Sequence, residues 1–182
     1  GQGYFLVSPL QLGYATAVLA AGGIRFEPRL VARTGDSALE PEKGEFIKIP
    51  WKDPDNWHRV EDAMRHVVEH GTARRIKNDD YSIAGKTGTA QVVSMKQNEE
   101  YDEKKLAKEK HDHALFVAFA PVEDPRVAVA VIVENGGHGG ATAAPVARKV
   151  MDYYLGDVLG MFPVEPPAET AVVSVPDPVE EE

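Results

Sequence analysis

Apolar positions along the chain fall into two kinds of pattern, helical spacing near both ends and short unbroken runs between them. Leu12, Ala15, Val18 and Leu19 recur at helical period behind Ser8-Pro9-Leu10-Gln11. Ser8 can cap that helix, Pro9 suits its first position, and Gln11 can complete a capping box. Gly22-Gly23 stops it. Residues 24–50 hold short extended runs such as Phe46-Ile47-Lys48-Ile49 between Gly and Pro punctuation. A second helix is predicted at about 56–70, capped by Asp55 or Asn56 and ended by Gly71. Its apolar stripe is Trp57, Val60, Met64, Val67 and Val68.

Three strands are predicted next. The first runs from about Tyr81 to Val93, interrupted by Gly85 and Gly88. The second is the run from Ala114 to Ala120, and the third the run from Val127 to Val133. Neither of the last two alternates apolar with polar residues, so both faces of their sheet must be covered. Pro121 to Arg126 is too short for a helical crossover, which makes the pair antiparallel. A last helix is predicted at about 143–155, with Thr142 as cap, Pro145 in its first turn, and Ala147, Val150, Met151 and Tyr154 as its stripe. The expected architecture is mixed α/β of the α+β kind: an antiparallel sheet with helices on both faces.

Between the first two strands, Lys96 to Lys110 is dense in Lys and Glu. The pairs Glu100–Lys104 and Lys105–Glu109 are spaced i,i+4, which reads as a solvated surface helix. The 182 residues carry a net charge of -9, and the excess is concentrated at one end. After Lys149 there are eight acids and no Lys or Arg, leaving 21 acids against 20 bases before it. Five prolines share that segment, so residues 159–182 read as an acidic tail that cannot bury a core, and 1–158 as the folded body. An acidic tail and the lack of a basic stripe argue against nucleic acid as a partner. No cysteine is present, which excludes disulfides, thiolate metal sites and a cysteine nucleophile.

The sharpest chemical signal is Ala84-Gly85-Lys86-Thr87-Gly88-Thr89-Ala90. A phosphate-binding loop would need glycine five residues before Gly85, where Asp80 stands, and a helix after the threonine, where Ala90-Gln91-Val92-Val93 reads as strand. The remaining mechanism is a Lys-Thr-Gly triplet on a strand bordering a cleft. Lys86 supplies positive charge, and the Thr87 and Thr89 hydroxyls can bind a carboxylate. Gly88 leaves room for a substrate backbone, and the Thr89 N–H can serve an oxyanion hole.

The neighbouring residues extend that match. Gly1-Gln2-Gly3-Tyr4 followed by Ser8-Pro9-Leu10-Gln11-Leu12 resembles the G-Q-G loop and helix of the penicillin-binding transpeptidases, serine enzymes that cross-link peptidoglycan. Val67-Val68-Glu69-His70-Gly71-Thr72-Ala73 resembles their V-V-x-x-G-T-A helix end. Asp112 to Phe116 with Phe119-Ala120-Pro121 resembles the strand after K-T-G, and Gly139-Gly140 with Ala144-Pro145-Val146 the entry to the last helix. The charged insert and Glu134-Asn135-Gly136-Gly137 are most similar to the elongation-specific class B branch. The resemblance covers about residues 1–155.

It implies the penicillin-binding fold in part, with no cofactor and no metal. It also implies peptidoglycan stem peptides and β-lactam antibiotics as ligands, cell-elongation proteins as partners, and the periplasmic face of a bacterial inner membrane as location. Lys86 and the Thr89 N–H would be catalytic; Thr87, Gly88 and Thr89 would bind substrate. His138, within a run otherwise all glycine, would lie on a loop beside the cleft.

One departure stands out. The residues three places after Ser8, Ser37, Ser82, Ser94 and Ser174 are Gln11, Glu40, Gly85, Gln97 and Asp177, so no S-x-x-K nucleophile motif is present, and S-x-N is missing too. In the family both motifs precede the G-Q-G loop. The chain therefore reads as the C-terminal portion of a transpeptidase domain, inactive alone, with the upstream half of that domain as its partner and the edge of Val127–Val133 left open. A related serine carboxypeptidase or β-lactamase, or a non-catalytic scaffold, are the rival readings. His111 and His113 share one face of a strand and can hold a metal; as residues entering a strand they read as structural. Trp51 and Trp57 read as packing residues rather than carbohydrate platforms.

Overall fold

The computed structural model describes residues 5–25, 27–31, 33–35, 37–38, 47–50, 53, 55–93 and 106–163. Helix α1 (Pro9–Ala20) begins with the expected capping box: Gln11 N–H donates to Ser8 Oγ at 3.2 Å, and Ser8 N–H to Gln11 Oε1 at 2.9 Å. It ends where Gly22 and Gly23 turn left-handed at φ 60° and 84°. Two small ribbons follow. Strand β1 (Ile24–Arg25) pairs antiparallel with β4 (Ile47–Lys48), and β2 (Arg33–Thr34) with β3 (Ser37–Ala38). Helix α2 (Asp55–Glu69) leads to strands β5 (Ala84–Ala90), β6 (His113–Ala120) and β7 (Val127–Val133). Helix α3 (Ala143–Asp152) closes the order and widens into a π-helical turn, Tyr153–Val158.

Strands β5, β6 and β7 make one antiparallel sheet in that order. Its register aligns Thr87, Phe116 and Val131, so these three share one face. On that face Phe116, Ala118 and Val129 are buried against Val68 of α2, Ala144, Ala147 and Met151 of α3, and Leu155. The opposite face presents Ala128 and Ala130 to α1, where a Cβ on Gly13 would stand only 3.6 Å from that of Ala130. Both faces are covered, which is the physical reason the strands read as unbroken apolar runs. Strand β5 borders the sheet on one side and β7 on the other; among the described residues neither outer edge is paired. No helix among them is long and apolar enough to cross a membrane.

Local detail departs from expectation at several places. Asp55 and Asn56 lie inside α2, and Asp53 Oδ1 takes the Asp55 N–H at 3.0 Å. Val60 is 44 % exposed, so the stripe of α2 narrows toward its start. The buried side of α3 is Ala143, Ala144, Ala147 and Met151, continuing to Leu155, while Val150 and Tyr154 face outward. Small alanines let the helix approach the sheet closely, so the closest contact falls on them rather than on the larger apolar residues. Thr142 does not cap α3: its hydroxyl donates to the carbonyls of Gly136 at 2.6 Å and His138 at 3.2 Å.

Strand β5 is shorter than Tyr81 to Val93 because its pairing stops at Ala84↔Phe119 and Ala90↔His113. Tyr81 turns into the core instead, stacked on Phe162 with ring centroids 5.3 Å apart. Of the predicted charged helix, 96–105 lies outside the described residues, and Lys108–Lys110 forms a 3-10 turn. Gly1 to Tyr4, Phe46, Trp51 and residues 164–182 of the expected tail are likewise outside them.

Candidate active site

Lys86, Thr87, Gly88 and Thr89 line a cleft of about 780 Å³ at the open edge of β5. The rest of its wall comes from Thr72, Arg74 and Arg75 after α2 and from the loop of His138, Gly139, Gly140 and Ala141 before α3. Alternation along β5 sends Thr87 to the face shared with Phe116, toward the end of α2. There its hydroxyl meets that of Thr72, Oγ1 to Oγ1, at 2.9 Å. Lys86 is exposed, and its Nζ donates to the Thr87 carbonyl at 2.8 Å.

The glycine-rich loop is fastened at both ends. Asn135, at φ 53°, donates its N–H to His113 Nδ1 at 2.9 Å and its Nδ2 to the carbonyls of Glu109 and His111. Gly137 N–H donates to the Asp112 carbonyl at 2.8 Å. At the far end the His138 carbonyl accepts the N–H groups of Ala141 and Thr142. Between them the loop presses on the strands: a Cβ on Gly139 would stand 2.1 Å from the Leu115 oxygen and 2.7 Å from the Gly88 oxygen. Only glycine permits that approach. Arg75 closes the wall, its Nη1 donating to the Ala141 carbonyl at 3.5 Å.

A second network holds the approach to β5. Asp152 Oδ1 accepts from the Tyr81 hydroxyl and from Arg148 Nε, both at 2.7 Å, and from Asn78 Nδ2 at 3.4 Å. Arg148 Nη1 reaches the carbonyls of Ile76 and Lys77 at 3.0 and 3.1 Å. Burial, then the hydrogen bond to Asp152, pushes the Tyr81 hydroxyl well above the ordinary tyrosine range. At the next residue along, the Ser82 hydroxyl donates to Glu123 and holds that carboxyl below its usual value.

Every sequence-predicted site residue is at the cleft: Lys86, Thr87, Gly88 and Thr89 on one wall, His138 exposed on the rim. Within the chain itself, a Cβ on Gly88 would press on Leu115 Cβ at 3.2 Å. His111 and His113 are engaged otherwise. His111 Nε2 donates to the Leu106 carbonyl at 3.1 Å, His113 accepts from Asn135, and the buried Asp112 takes the Val92 N–H at 3.4 Å. Among the described residues no three His, Cys, Asp or Glu side chains gather as a metal group. Sequence reasoning missed Thr72, Arg74 and Arg75 as site residues. The only local signal was a polar, basic string straight after a helix-ending glycine.

The cleft wall thus offers three fixed cations (Arg74, Arg75 and Lys86), two hydroxyls on β5 and His138, with no Asp or Glu among its residues. Such a wall is electropositive. Residues 1–152 match the family model for the penicillin binding protein transpeptidase domain. The chain is 44 % identical over 160 residues to the peptidoglycan D,D-transpeptidase MrdA of Haemophilus influenzae, covering 85 % of this chain and 25 % of that protein. It is 36 % identical over 185 residues to MrdA of Escherichia coli K12, covering 94 % of this chain and 28 % of the relative. Among solved structures it resembles Pseudomonas aeruginosa PBP2 in complex with WCK 5153, with 41 % identity and a TM-score of 0.69 over 85 % of this chain and 32 % of that one. Helicobacter pylori PBP2, solved in complex with MreC, aligns at 28 % identity and a TM-score of 0.56 over 86 % of this chain and 26 % of that one. The chain spans about a quarter of the length of the curated relatives it matches. On its matched residues, and with Lys-Thr-Gly on the border strand of an electropositive cleft, the chain belongs to the penicillin-binding protein transpeptidase family.

Proposed function

We propose that this chain forms the Lys-Thr-Gly wall of a peptidoglycan D,D-transpeptidase acting in cell-wall elongation. The observation that carries the reading is the convergence of Lys86, Thr87 and Thr89 on one cleft that lacks acidic residues. The Thr87 and Thr89 hydroxyls hold the terminal carboxylate of a stem peptide, or the carboxylate of a β-lactam, and Lys86 supports it electrostatically. In an antiparallel strand the N–H and C=O of one residue point to the same side, and sides alternate with period two. The Thr89 N–H therefore shares the outer edge with the Thr87 carbonyl that Lys86 reaches, where it can stabilise an oxyanion.

The nucleophile is a serine contributed by a part of the domain outside this sequence, since none of its own serines stands three places before a lysine. That serine attacks the penultimate D-Ala carbonyl and expels the terminal D-Ala. An amine from a neighbouring stem then displaces the serine from the ester. β-Lactams acylate the same oxygen. The MreC complex of the Helicobacter pylori relative supports cell-elongation proteins as partners, and the substrate places the active cleft on the periplasmic side of the inner membrane.

Fluorescent-penicillin labelling of the intact protein containing this chain tests the reading. Covalent labelling is expected, reduced about tenfold or more by Thr87→Val, which removes a hydroxyl bond to a charged group. An intact protein that takes no label would leave a scaffold role in its place; labelling followed by rapid release of the label would favour a β-lactamase.

A further inference from the structure

The Lys-Thr-Gly wall accounts for one carboxylate, yet the cleft carries more positive charge than one carboxylate uses. Arg74 and Arg75 both line it, and neither has a carboxylate partner among the described residues. This is notable in a protein of net charge -9. Arg75 is also oriented. One of its terminal nitrogens rests on the Ala141 carbonyl across the wall, and a guanidinium has five N–H donors in a flat fork. A single carbonyl contact leaves an edge of that fork for bidentate capture of a carboxylate.

The spacing suits a second acid on the same ligand. Thr72 is bonded to Thr87, and Arg75 follows Thr72 by three residues, a span of at most about 11 Å of backbone that the 3-10 turn Arg74–Ile76 shortens. Peptide residues advance about 3.3 Å each when extended. A side-chain carboxylate one or two residues before the terminal one therefore comes within reach of the arginine.

Resting on the transpeptidase reading, we propose that Arg75, assisted by Arg74, forms a second anion subsite in the cleft. The subsite selects donor peptides with an acidic side chain shortly before their C-terminal carboxylate.

The test is fluorescence anisotropy of dye-labelled peptides ending in D-Ala-D-Ala, titrated with the intact protein. One peptide carries glutamate immediately before the D-Ala pair and its twin carries glutamine. Wild type is expected to bind the glutamate peptide about tenfold more tightly or better, the ratio falling toward one in Arg75→Gln and returning in part in Arg75→Lys. A wild-type ratio of one, or a ratio that Arg75→Gln leaves untouched, overturns the subsite. Should Arg75→Gln fail to fold, the wild-type ratio and that of Arg74→Gln still decide. Penicillin labelling of the same preparations separates the two readings. Labelling without an acid preference sinks the subsite alone, whereas an unlabelled wild type sinks the transpeptidase assignment and the subsite with it.

Discussion

The hydroxyls of Thr72 and Thr87 lie 2.9 Å apart, tying the turn that follows α2 to the middle of the Lys-Thr-Gly strand. The bond fixes the χ1 rotamer of Thr87, and with it the direction in which that hydroxyl can meet a ligand. Thr72→Val should therefore slow penicillin acylation of the intact protein by roughly twofold to tenfold, the range of one net hydrogen bond. Thr72→Ser should restore the rate. A thermal melt run beside the kinetics separates positioning from simple loss of fold, because Val and Thr have nearly the same volume.

Gly139 is held to glycine by backbone rather than by side chains. A methyl there meets the carbonyl oxygens of Leu115 and Gly88, neither of which can rotate away. Gly139→Ala is expected to destabilise the protein by about 3 kcal/mol, the upper range of overpacking. Gly88→Ala, which presses only on Leu115 Cβ at 3.2 Å, should cost about 1 kcal/mol. Melting temperatures of the two variants check the order; equal shifts would mean the loop does not pack on the strands as described.

Tyr81 links stability to alkaline pH. Its hydroxyl titrates higher in the folded protein than in the unfolded chain, where tyrosine ionises near about 10. Below that pH both states keep the proton and the interaction is fully present. Above it the unfolded state sheds the proton first, so it binds fewer protons than the native state and stability falls as pH rises. Tyr81→Phe should cost about 1 kcal/mol at pH near neutral and flatten the loss between about pH 10 and 11. Denaturant midpoints at the two pH values provide the comparison, and an unchanged alkaline slope would remove Tyr81 from the linkage.

Much of the fold was readable locally. The capping box at Ser8, the full extent of β7 and the antiparallel turn from Ala120 to Val127 follow from residue order and short-range geometry. The misplaced features are those where a distant partner decides. Thr142 has the right identity for a cap, but the Gly136 and His138 carbonyls claim its hydroxyl. Tyr81 has high strand propensity, yet Asp152 and Phe162 draw it off the sheet. Val150 and Tyr154 lost the buried side of α3 to alanines because close approach to a sheet favours small side chains.

By itself, the order of residues determined the Lys-Thr-Gly strand, its antiparallel neighbours and the absence of a serine-lysine motif, since each depends on neighbours within a few positions. Only the tertiary structure decided that Thr72 and Arg75, on the segment between α2 and β5, share the cleft of Lys86 and that Gly139 must be bare. Those relations arise from the packing of α2 and the glycine loop on one strand pair, and no local pattern encodes which distant surfaces will meet.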